Sequence, residues 1–581
     1  MSPSAFCEWC PMKNRFSGYP TVALTIALLL SATHVSAEVI PDEQVRLDLG
    51  NSTNQVRVPG DPRVGAIFSD TQTVYTSKPP GIIGMKTAKP GEIFSANNPY
   101  AIGCNSTGDP ACAGYAKRFI SAKYPYCSPK SSVICLKSFW AILPDGKRVE
   151  ATFIKELDPG TPVPFLDEPR YGIPRTAGDS IFEFRDASGA PVITHNGGSL
   201  FALRSSLIGV LGSGAYDFEG AIFAISLVNN QSKKLVFKGF SPSETGAGYG
   251  YNWDPAVMTN CAVIGVGVCG VPFTLPIDVR FGVEMQSTVF PIKWVHGRLE
   301  SPIVKSNYNG KTYTISVEAK PTKIPMLSGV ARYSQVTPTL QKRYSDAIEL
   351  DQRSTKGVSR IDDLSPTQGD FSLAALKDWL EYLPDKAQAL PTAWSIRTIS
   401  VSDLANTKFP TKCINLDENF AGLVTTNATA YSSGPPKFNS ATGTLEYQVA
   451  APHFEKDGVT PFKGSYDLAI RSDVARCIYG FTDAPIQASV SVLNSGSEQK
   501  IATTSFKEEA GWLNFSAKNF EFSTPTVLVR MSQERPSSQV QSPAVKPSAA
   551  VKISSITCIK GKVKRKVTGA PPRCPAGYRK G

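Results

Sequence analysis

Residues 132–157 read SVICLKSFWAILPDGKRVEATFIKEL, and this stretch decides the fold class. It holds two runs rich in β-branched and aromatic residues, and such runs bounded by turn residues are typical of β-strands. Asp145-Gly146 lies between the runs, which suits a tight hairpin loop because both central positions of such a loop need positive φ. The stretch therefore predicts an antiparallel β-hairpin.

Similar strand patterns extend from residue 38 to about residue 330. YDFEGAIFAISLV (216–228) and KTYTISVEA (311–319) are again rich in β-branched and aromatic residues, and Asn309-Gly310 is a second hairpin signal. Prolines are scattered through this part of the chain, which suits loops and strand edges rather than helices. We therefore expect a β-rich body over 38–330.

The segment 331–405 shows a helical pattern instead. Leucines recur at spacings of three and four residues in FSLAALKDWLEYLPDKA, so one amphipathic helix should end near Pro384. The polar face of this helix is not basic, as a membrane-surface helix would require. We therefore predict a connector whose amphipathic helix packs on the β body.

Residues 406–531 return to a strand pattern. In IQASVSV (486–492) apolar and polar residues alternate, which is the period of a half-buried strand. Cys413 and Cys477 would tie the start of this unit to its middle. We expect a β-sandwich domain, a fold that takes about 100 residues.

The residues after 531 differ in composition from the rest of the chain. Residues 532–553 are poor in apolar residues and rich in Pro and Ser, so we expect a disordered linker there. It leads to a two-cysteine module at 554–581. The chain as a whole is predicted to be mainly β and multi-domain: β-sandwich-like units, one short helical connector and a disordered linker to a C-terminal disulfide hairpin.

The first 37 residues have the pattern of a signal peptide. Basic residues at 13 and 15 precede a short apolar run at 22–30, and Val35-Ser36-Ala37 supplies the small residues of a cleavage site. A membrane anchor is the alternative, but the run is shorter than the about 20 residues that span a bilayer. We expect a secreted or cell-envelope-associated protein with no transmembrane segment in the mature chain, and either Met1 or Met12 as the start.

The cysteines are arranged as neighbours along the chain. Twelve are present, and ten remain once Cys7 and Cys10 leave with the signal peptide. An even number in an exported chain favours disulfides over metal binding. The ten are Cys104, Cys112, Cys127, Cys135, Cys261, Cys269, Cys413, Cys477, Cys558 and Cys574. We expect local disulfides, although the four from Cys104 to Cys135 allow three pairings.

The positive charge of the chain is concentrated at its C-terminal end. The whole chain carries +12, residues 1–37 carry +1, and residues 535–581 carry +11 without one acidic residue. Residues 38–534 are therefore neutral. Eight of the C-terminal cations follow Cys558: Lys560, Lys562, Lys564, Arg565, Lys566, Arg573, Arg579 and Lys580.

A disulfide would fix these cations on a hairpin. Closing Cys558 to Cys574 removes roughly 3 kcal/mol of denatured-chain entropy for a loop of this length, which is enough to order a marginal hairpin. Gly569, Pro571 and Pro572 are turn residues, and we expect them to form the turn between its two arms.

Such a basic cluster predicts a polyanion-binding module. An exported protein meets little nucleic acid, so we expect an anionic cell-wall polymer or an acidic glycan as the partner, and no nucleic acid. Each contact would be weak and screened by salt, but eight cations on one fixed module act together. A solubilising or processing tail is the alternative. The sequence leaves the oligomeric state unknown.

Motifs for catalysis and cofactors are weak. Gly265 to Gly270 matches the dinucleotide fingerprint G-x-G-x-x-G, but prolines follow where a helix should open, which favours a disulfide-closed loop. Gly178-Asp179-Ser180 resembles an esterase nucleophile block but leads into a predicted strand. His195, His296 and His453 lack a ligand partner at metal-site spacing. We therefore predict no cofactor, no metal site and no catalytic residue.

A Gly-rich loop, GAGYGYNWDP, carries Tyr249, Tyr251 and Trp253. Alternate aromatic residues on a loop can stack on sugar rings, because they expose flat amphipathic faces. The alternative is that they fold back and cover the core. The first interpretation makes these three residues possible glycan contacts.

Two segments and the tail carry a resemblance. RSDVARCIYGF (471–481), GWLNFSAKNFEFSTPTVLVRM (511–531) and the basic two-cysteine ending resemble those of uncharacterised secreted cell-envelope proteins of actinobacteria. The resemblance implies export and envelope association, and it supplies no catalytic residues. The expected function is that of a secreted binding or structural protein attached through its basic tail, with a secreted hydrolase of envelope glycans or esters and a carbohydrate-binding adhesin as alternatives.

Overall fold

The structure is a computed structural model, and it describes the greater part of the chain after residue 62. The described residues are 63–70, 80–85, 101–115, 117–128, 133–161, 163–194, 198–212, 222–229, 231–234, 237–242, 249–253, 263–266, 268–271, 274–289, 294–352, 360–364, 369–398, 411–413, 420–432, 434–482, 486–494, 497–500, 503–522, 526–533, 554–569 and 572–581. The predicted signal peptide and almost all of the predicted linker lie outside these residues.

The described chain is mainly β, as the sequence predicts. Its first strands are β1 Arg63–Phe68, β2 Gly81–Met85, β3 Ala101–Cys104, β4 Lys117–Ala122, β5 Cys135–Ile142, β6 Arg148–Glu156, β7 Ser180–Phe184, β8 Leu200–Gly212, β9 Ile222–Asn229, β10 Gln231–Lys234, β11 Phe237–Pro242, β12 Tyr249–Trp253, β13 Val263–Gly265, β14 Val268–Val271, β15 Arg280–Ser287, β16 Trp294–Arg298, β17 Glu300–Tyr308 and β18 Tyr313–Lys320.

Further strands and a small number of helices make up the rest. The strands are β19 Thr322–Lys323, β20 Leu327–Arg332, β21 Arg360–Leu364, β22 Thr392–Ala393, β23 Ser395–Thr398, β24 Gly422–Thr426, β25 Ala430–Tyr431, β26 Lys437–Asn439, β27 Thr444–Ala450, β28 Lys463–Arg471, β29 Ile486–Asn494, β30 Ser497–Lys500, β31 Thr503–Glu509, β32 Trp512–Glu521, β33 Thr526–Gln533, β34 Ser554–Lys560, β35 Val563–Gly569 and β36 Arg579–Lys580. The α-helices are α1 Pro338–Gln352, α2 Asp370–Trp379 and α3 Ser472–Tyr479.

Both predicted hairpins are present. Strands β5 and β6 pair antiparallel on either side of Gly146, whose φ is 85°. Strands β17 and β18 pair in the same way around Gly310, whose φ is 88°. Glycine adopts a positive φ without a steric penalty, so each hairpin is marked correctly by its glycine. The predicted turn itself is wrong, because it needs positive φ at both central positions and neither Asp145 nor Asn309 has one.

One hydrogen-bonded network joins 17 strands. A continuous path runs β17-β18-β15-β5-β6-β7-β8-β9-β23-β16-β24-β28-β32-β31, and β4, β2 and β3 branch from β8. Within the described strands, β17 pairs only with β18 and β31 pairs only with β32. Strands β17 and β31 are therefore the two free ends of the path.

This network crosses the segment boundaries that the sequence suggested near 330 and 405. Strand β16, from the β-rich body, pairs with β23 of the connector and with β24 of the following unit. The body, the connector and the sandwich unit therefore share one hydrogen-bonded sheet system. Local sequence patterns locate strands, but they do not report which distant strands pair.

The main core lies against this network and is rich in aromatic residues. Phe281 is fully buried, and its ring packs at 6.4 Å from Phe139, 5.8 Å from Phe184 and 6.0 Å from Phe201 between centroids. Burying such side chains removes apolar area from water at about 25 cal/mol per Å², which is the principal stabilisation of this part of the chain.

A second, six-stranded sheet has the order β25-β27-β33-β29-β30, with β26 beside β27. Tyr447 on β27 and Tyr466 on β28 are both buried, and their ring centroids lie 5.5 Å apart. This contact packs the second sheet on the main one, which is the sandwich-like arrangement predicted for 406–531. The alternating segment IQASVSV lies in β29, a strand as predicted.

The connector contains the predicted helix and one more. Helix α2 ends at Trp379, a 3-10 turn at Leu380–Tyr382 follows, and Pro384 comes two residues after this turn. Leu373 and Leu376 are buried against the three-stranded sheet β20-β1-β21, so the helix packs on strands as predicted. Helix α1 was not predicted, because few of its residues are apolar. None of the described helices is long and apolar enough to cross a membrane.

The described disulfides join neighbouring cysteines. They are Cys104–Cys112, Cys127–Cys135, Cys413–Cys477 and Cys558–Cys574. The pairing among the four cysteines from Cys104 to Cys135, which the sequence left open, is therefore one of adjacent partners. The predicted pair of Cys261 and Cys269 cannot be traced, because Cys261 lies outside the described residues.

By internal contacts the chain divides into two units, 1–483 with 488–531 and 484–487 with 532–581. The described C-terminal part of the second unit is a three-stranded sheet with the order β35-β34-β36. Its hairpin turn lies at Gly561, whose φ is 61°, and not at Gly569 to Pro572 as predicted. A glycine at the first central position suits a two-residue turn of type II′. The predicted basic arm is therefore divided between β34 and β35.

Candidate binding sites

The C-terminal sheet carries all eight predicted polyanion-binding residues, and all eight are exposed. Six of them lie on the strands. Lys562 lies in the hairpin turn beside Gly561, and Arg573 precedes Cys574 in the loop that leads to β36. The structure therefore brings together on one small sheet the cations that the sequence spreads over 560–580.

These cations occupy both faces of the sheet. Residues directly opposite each other on antiparallel strands point to the same face, and neighbours along a strand point to opposite faces. Arg565 and Lys580 flank Cys558 on one face, and Lys560 shares that face. Lys564 and Arg579 flank Ile559 on the other face, which also carries Lys566: the module is a cationic sheet on both sides.

The spacing of these cations follows from the strand register. In each row the outer cations are two strands apart, a Cα separation of about 10 Å for neighbouring strands about 4.8 Å apart. Residues 535–581 contain no acidic side chain to offset the repulsion between them. A bound polyanion would relieve this repulsion, so the module is electrostatically suited to an extended anion.

Besides the backbone pairing of its strands, few side-chain contacts are described within this sheet. Cys558 is fully buried and bonded to Cys574, and the Gly581 amide donates to the Thr557 carbonyl at 2.8 Å. The Lys560 ammonium lies 6.0 Å from the centroid of the Tyr578 ring. With so little apolar burial in the described part of the module, the disulfide is its main constraint.

A second candidate site lies where the free ends of the sheet path approach each other. Two adjoining cavities of about 650 and about 440 Å³ share Ala510 and Trp512 in their walls. One wall of the cavities is the β17–β18 hairpin, and the floor is formed by β28, β32 and β31. We call the two cavities together the seam cleft.

The floor of the seam cleft combines buried residues with partly exposed polar ones. Along β32, Leu513, Phe515 and Ala517 are buried, whereas Asn514 and Ser516 between them are partly exposed. The register places three cross-strand rows on the face toward the cleft: Asp467, Ser516 and Ser505; Ala469, Asn514 and Lys507; Arg471, Trp512 and Glu509. Asp467, Ala469 and Trp512 are buried, so the polar groups that the floor exposes come mainly from β31 and from Asn514 and Ser516 on β32.

Helix α3 closes one end of the cleft with two arginines. Arg471 precedes the helix and hydrogen-bonds both carboxylate oxygens of Asp473, the Nε bond being 2.9 Å long. Arg476 binds Glu508 through both terminal nitrogens, at 2.9 and 3.2 Å. Such two-point pairs are planar and fixed in direction.

Each carboxylate that lines the cleft is ion-paired. Asp467 pairs with Lys518 at 2.8 Å and Glu509 with Lys507 at 2.7 Å, in addition to the two arginine pairs. The hydrogen bond from Arg476 lowers the pKa of Glu508 below its usual 4.5, and that from Lys507 lowers the pKa of Glu509. The lower pKa favours the ionised, hydrogen-bond-accepting form of Glu508 and Glu509. The five cations and four carboxylates of the lining nearly balance.

An aromatic pair stands on the hairpin wall. Tyr308 and Tyr313 are directly opposite in the register, and their rings stack with centroids 4.2 Å apart at 23°. Tyr308 is 50% exposed, so one face of its ring is covered by Tyr313 and much of the rest is open to solvent. Both residues line the larger cavity of the cleft.

Helix α3 is held firmly, which keeps this end of the cleft in place. Val474, Ala475 and Ile478 are buried, and Cys477 is bonded to Cys413. Gly480 ends the helix with a φ of 66°, a left-handed conformation that glycine favours. A site mounted on fixed elements loses little entropy when a ligand binds.

A third cavity, of about 880 Å³, lies between 105–108 and 164–171. Its acidic groups hydrogen-bond within the fold. Glu168 accepts from the backbone amide of Thr107 at 2.5 Å, and Asp167 accepts from the backbone amide of Arg175, also at 2.5 Å. Polar groups here serve to join two loops.

The predicted glycan contacts Tyr249, Tyr251 and Trp253 lie on strand β12, which pairs with β11. They are therefore on a strand and not on a loop. Their side chains lie outside what the structure describes, so a glycan role for them stays a prediction.

Among the described residues, the weak catalytic motifs do not assemble a site. Ser180 is fully buried at the start of β7, and Asp179 is ion-paired with Lys123 at 2.5 Å, so this block does not present an exposed nucleophile. Gly265 and Gly270 lie on β13 and β14, which form an antiparallel hairpin. Among the described residues no helix begins between β14 and β15, so the glycines lack the helix that the dinucleotide fingerprint requires.

The described histidines have structural partners. His296 is buried, and its Nδ1 lies 3.0 Å from the Tyr447 hydroxyl; burial, with Arg397 and Arg298 nearby, lowers its pKa well below 6.5. His453 is exposed and bonded to Asp385 at 2.7 Å. His195 lies outside the described residues. No group of three or more His, Cys, Asp or Glu that could hold a metal occurs among the described residues.

Comparison with known proteins gives no further assignment: no family model, no curated protein and no solved structure matches this chain. The resemblance to secreted actinobacterial envelope proteins therefore stays a prediction.

Sequence reasoning missed the seam cleft, although it quoted two of the segments that form it. RSDVARCIYGF supplies Arg471, Asp473 and Arg476, and the segment from Gly511 supplies Trp512. The alternation along β32 was a usable signal, because its partly exposed positions are polar rather than apolar. The partner wall at Tyr308 lies far away in sequence, and the hairpin signal at Asn309-Gly310 does not report that this hairpin approaches β28, β32 and β31.

Proposed function

We propose that this chain is a secreted, envelope-associated binding or structural protein that is attached through its basic C-terminal module to an anionic wall polymer or acidic glycan. The observation that carries the proposal is the exposure of eight cations on a disulfide-closed sheet within a segment that has no acidic residue. Unpaired exposed cations attract polyanions over a screening length of about 10 Å at 0.1 M salt.

The placement of the cations favours a polymer over a flat surface. Lys564, Lys566 and Arg579 lie on one face of the sheet, and Lys560, Arg565 and Lys580 on the other. A flat lipid surface would contact one face at a time, whereas a flexible chain of phosphates or carboxylates can pass along both. The partner class is therefore an extended polyanion.

Export is supported by the signal-peptide pattern of residues 1–37 and by the disulfides. Disulfides form and persist in oxidising compartments outside the cytosol. The hydrolase alternative loses its sequence candidate, because Ser180 is buried. The adhesin alternative, which relies on glycan contacts at Tyr249, Tyr251 and Trp253, stays a prediction.

The test measures binding of the full chain to washed bacterial cell walls in a salt titration. The key variant replaces Lys560, Lys562, Lys564, Arg565 and Lys566 by Gln and keeps both cysteines. Five lost contacts worth a few tenths of a kcal/mol each should lower the affinity at least about tenfold at 0.1 M salt. The full chain should be released near 1 M salt, where the screening length falls to about 3 Å.

A matched control replaces the same number of exposed lysines outside the C-terminal module by Gln. Suitable positions are Lys147, Lys155, Lys311, Lys342 and Lys456. This variant should bind walls as the full chain does. Equal binding by the tail variant and the full chain, or retention that salt does not weaken, would contradict the proposal. Binding to polyphosphate but not to polyglutamate would narrow the partner to phosphate polymers.

A further inference from the structure

We propose that the seam cleft binds a neutral oligosaccharide chain. This goes beyond the proposed attachment through the basic module, uses none of its residues and does not rest on it. Three features of the cleft point to such a ligand: a sugar-stacking surface, directed hydrogen-bonding groups and a lining whose positive and negative charges nearly balance.

The stacking surface is the Tyr308 ring. Sugar rings present a face of C–H groups that packs on aromatic faces, and such contacts gain from the apolar body of tyrosine. Tyr308 is 50% exposed and is held in one orientation by the stacked Tyr313 behind it. A half-exposed ring that is fixed from behind can stack on a ligand at little cost in side-chain entropy.

The directed groups are the paired carboxylates and the floor amides. An ionised carboxylate has about four lone-pair positions, and a two-point arginine pair uses two of them. Asp473 has a 61% exposed side chain and Glu508 a 32% exposed one, so both keep acceptor positions open to the cleft. Asn514 and Ser516 on the floor add amide and hydroxyl groups. Sugar hydroxyls both donate and accept, and they match this mixed set.

The charge balance favours a neutral ligand. An anion would be attracted by Arg471 and Arg476, but it would meet the carboxylates of Asp473 and Glu508 beside them. A cation would be attracted by these carboxylates, but it would meet the two arginines beside them. A polar but uncharged chain avoids both penalties, because it does not have to displace an ion pair to enter.

The shape of the cleft fits a chain rather than a single sugar. The two cavities adjoin at Trp512, and together they follow β17 from Ser301 to Tyr308. A strand of this length, at about 3.3 Å per residue, covers about 23 Å, the length of several linked sugar rings. An extended peptide pairing with the free edge of β17 is the competing occupant, and the test separates the two.

The test titrates the full chain with di- to hexasaccharides of glucose, mannose, galactose and N-acetylglucosamine by calorimetry. At least one series should bind, with affinity that rises with chain length and does not change between about 0.1 and 1 M salt. Tyr308→Ala should lower the affinity about tenfold, and Tyr308→Phe should keep it, because the stacking face is retained. Asp473→Asn should also lower it, because a charged acceptor is lost.

The matched control is Phe371→Ala, which removes a ring of similar exposure (52%) outside the cleft. It should bind as the full chain does. Failure of every oligosaccharide to bind, equal affinity of Tyr308→Ala and the full chain, or binding of unstructured peptides alone would overturn the proposal. The melting temperatures of the variants should be unchanged. If a lower melting temperature shows that Tyr308→Ala has a folding defect, the affinity of Asp473→Asn becomes the test of the proposal.

Discussion

The seam cleft and the C-terminal module carry similar kinds of residue and arrange them in opposite ways. In the cleft, arginine and lysine are joined to carboxylates, as in Arg476 with Glu508 and Lys507 with Glu509. In the module, eight exposed cations share a segment without any acid. Paired charges give fixed hydrogen-bond directions, whereas unpaired charges give a field that extends into solution.

The two regions are also stabilised differently. The part of the chain that holds the cleft has a large core, with residues such as Phe281 fully buried. The described part of the module buries Cys558 fully and relies on its bond to Cys574. We therefore expect the same kind of change to have a graded effect in the first region and an all-or-none effect in the second.

The largest effect is expected for the disulfide beside the cleft. Changing Cys413 and Cys477 to Ser opens a loop of 64 residues, for which the chain-entropy model gives a loss of about 4 kcal/mol. The core should keep the region folded, so the free energy of unfolding falls in denaturant titrations while the native circular dichroism persists. Loss of the native spectrum in this variant would show that the core does not suffice.

The next effect concerns the module. Changing Cys558 and Cys574 to Ser opens a loop of 16 residues, a loss of about 3 kcal/mol. That loss should abolish the amide-exchange protection of 554–569, because the described module has little apolar burial to replace it. The denaturation midpoint of the rest of the chain should be unchanged, and this serves as the internal control. Retained protection of 554–569 in this variant would contradict the contrast between the regions.

Local features of both regions could be predicted from the sequence. Asp145-Gly146 and Asn309-Gly310 marked their hairpins correctly, because a positive φ restricts the residue types that a tight turn accepts. Neighbouring cysteines pair, and the C-terminal cations gather on one sheet. Each of these features depends on residues close in the chain.

Features that depend on distant residues could not be predicted. The cleft requires that β17 approach β28, β32 and β31, and the Arg476–Glu508 pair joins residues 32 apart. The misplaced module turn has a different cause. Gly561 lies within a dense run of lysines, and that run was interpreted as one arm because its charge pattern masked the turn signal.

The smallest effect that we predict is a pH dependence of stability in the part of the chain that contains His296, and not in the C-terminal module. Burial, with Arg397 and Arg298 nearby, keeps the pKa of His296 well below 6.5 in the folded chain. The unfolded chain binds a proton at His296 below about pH 6.5 and the folded chain does not, so stability should fall as pH drops below 6.5. The slope approaches about 1.4 kcal/mol per pH unit for one proton.

The variant His296→Gln should remove this component from the slope of unfolding free energy against pH. Tyr447→Phe is the matched control: it removes the hydroxyl 3.0 Å from Nδ1 but leaves the buried ring, so the slope should persist although stability falls. Polyphosphate binding by the module should not change over the same pH range, because residues 535–581 contain no His, Asp or Glu. An unchanged slope in His296→Gln would mean that the pH response arises elsewhere and that burial of this histidine does not set it.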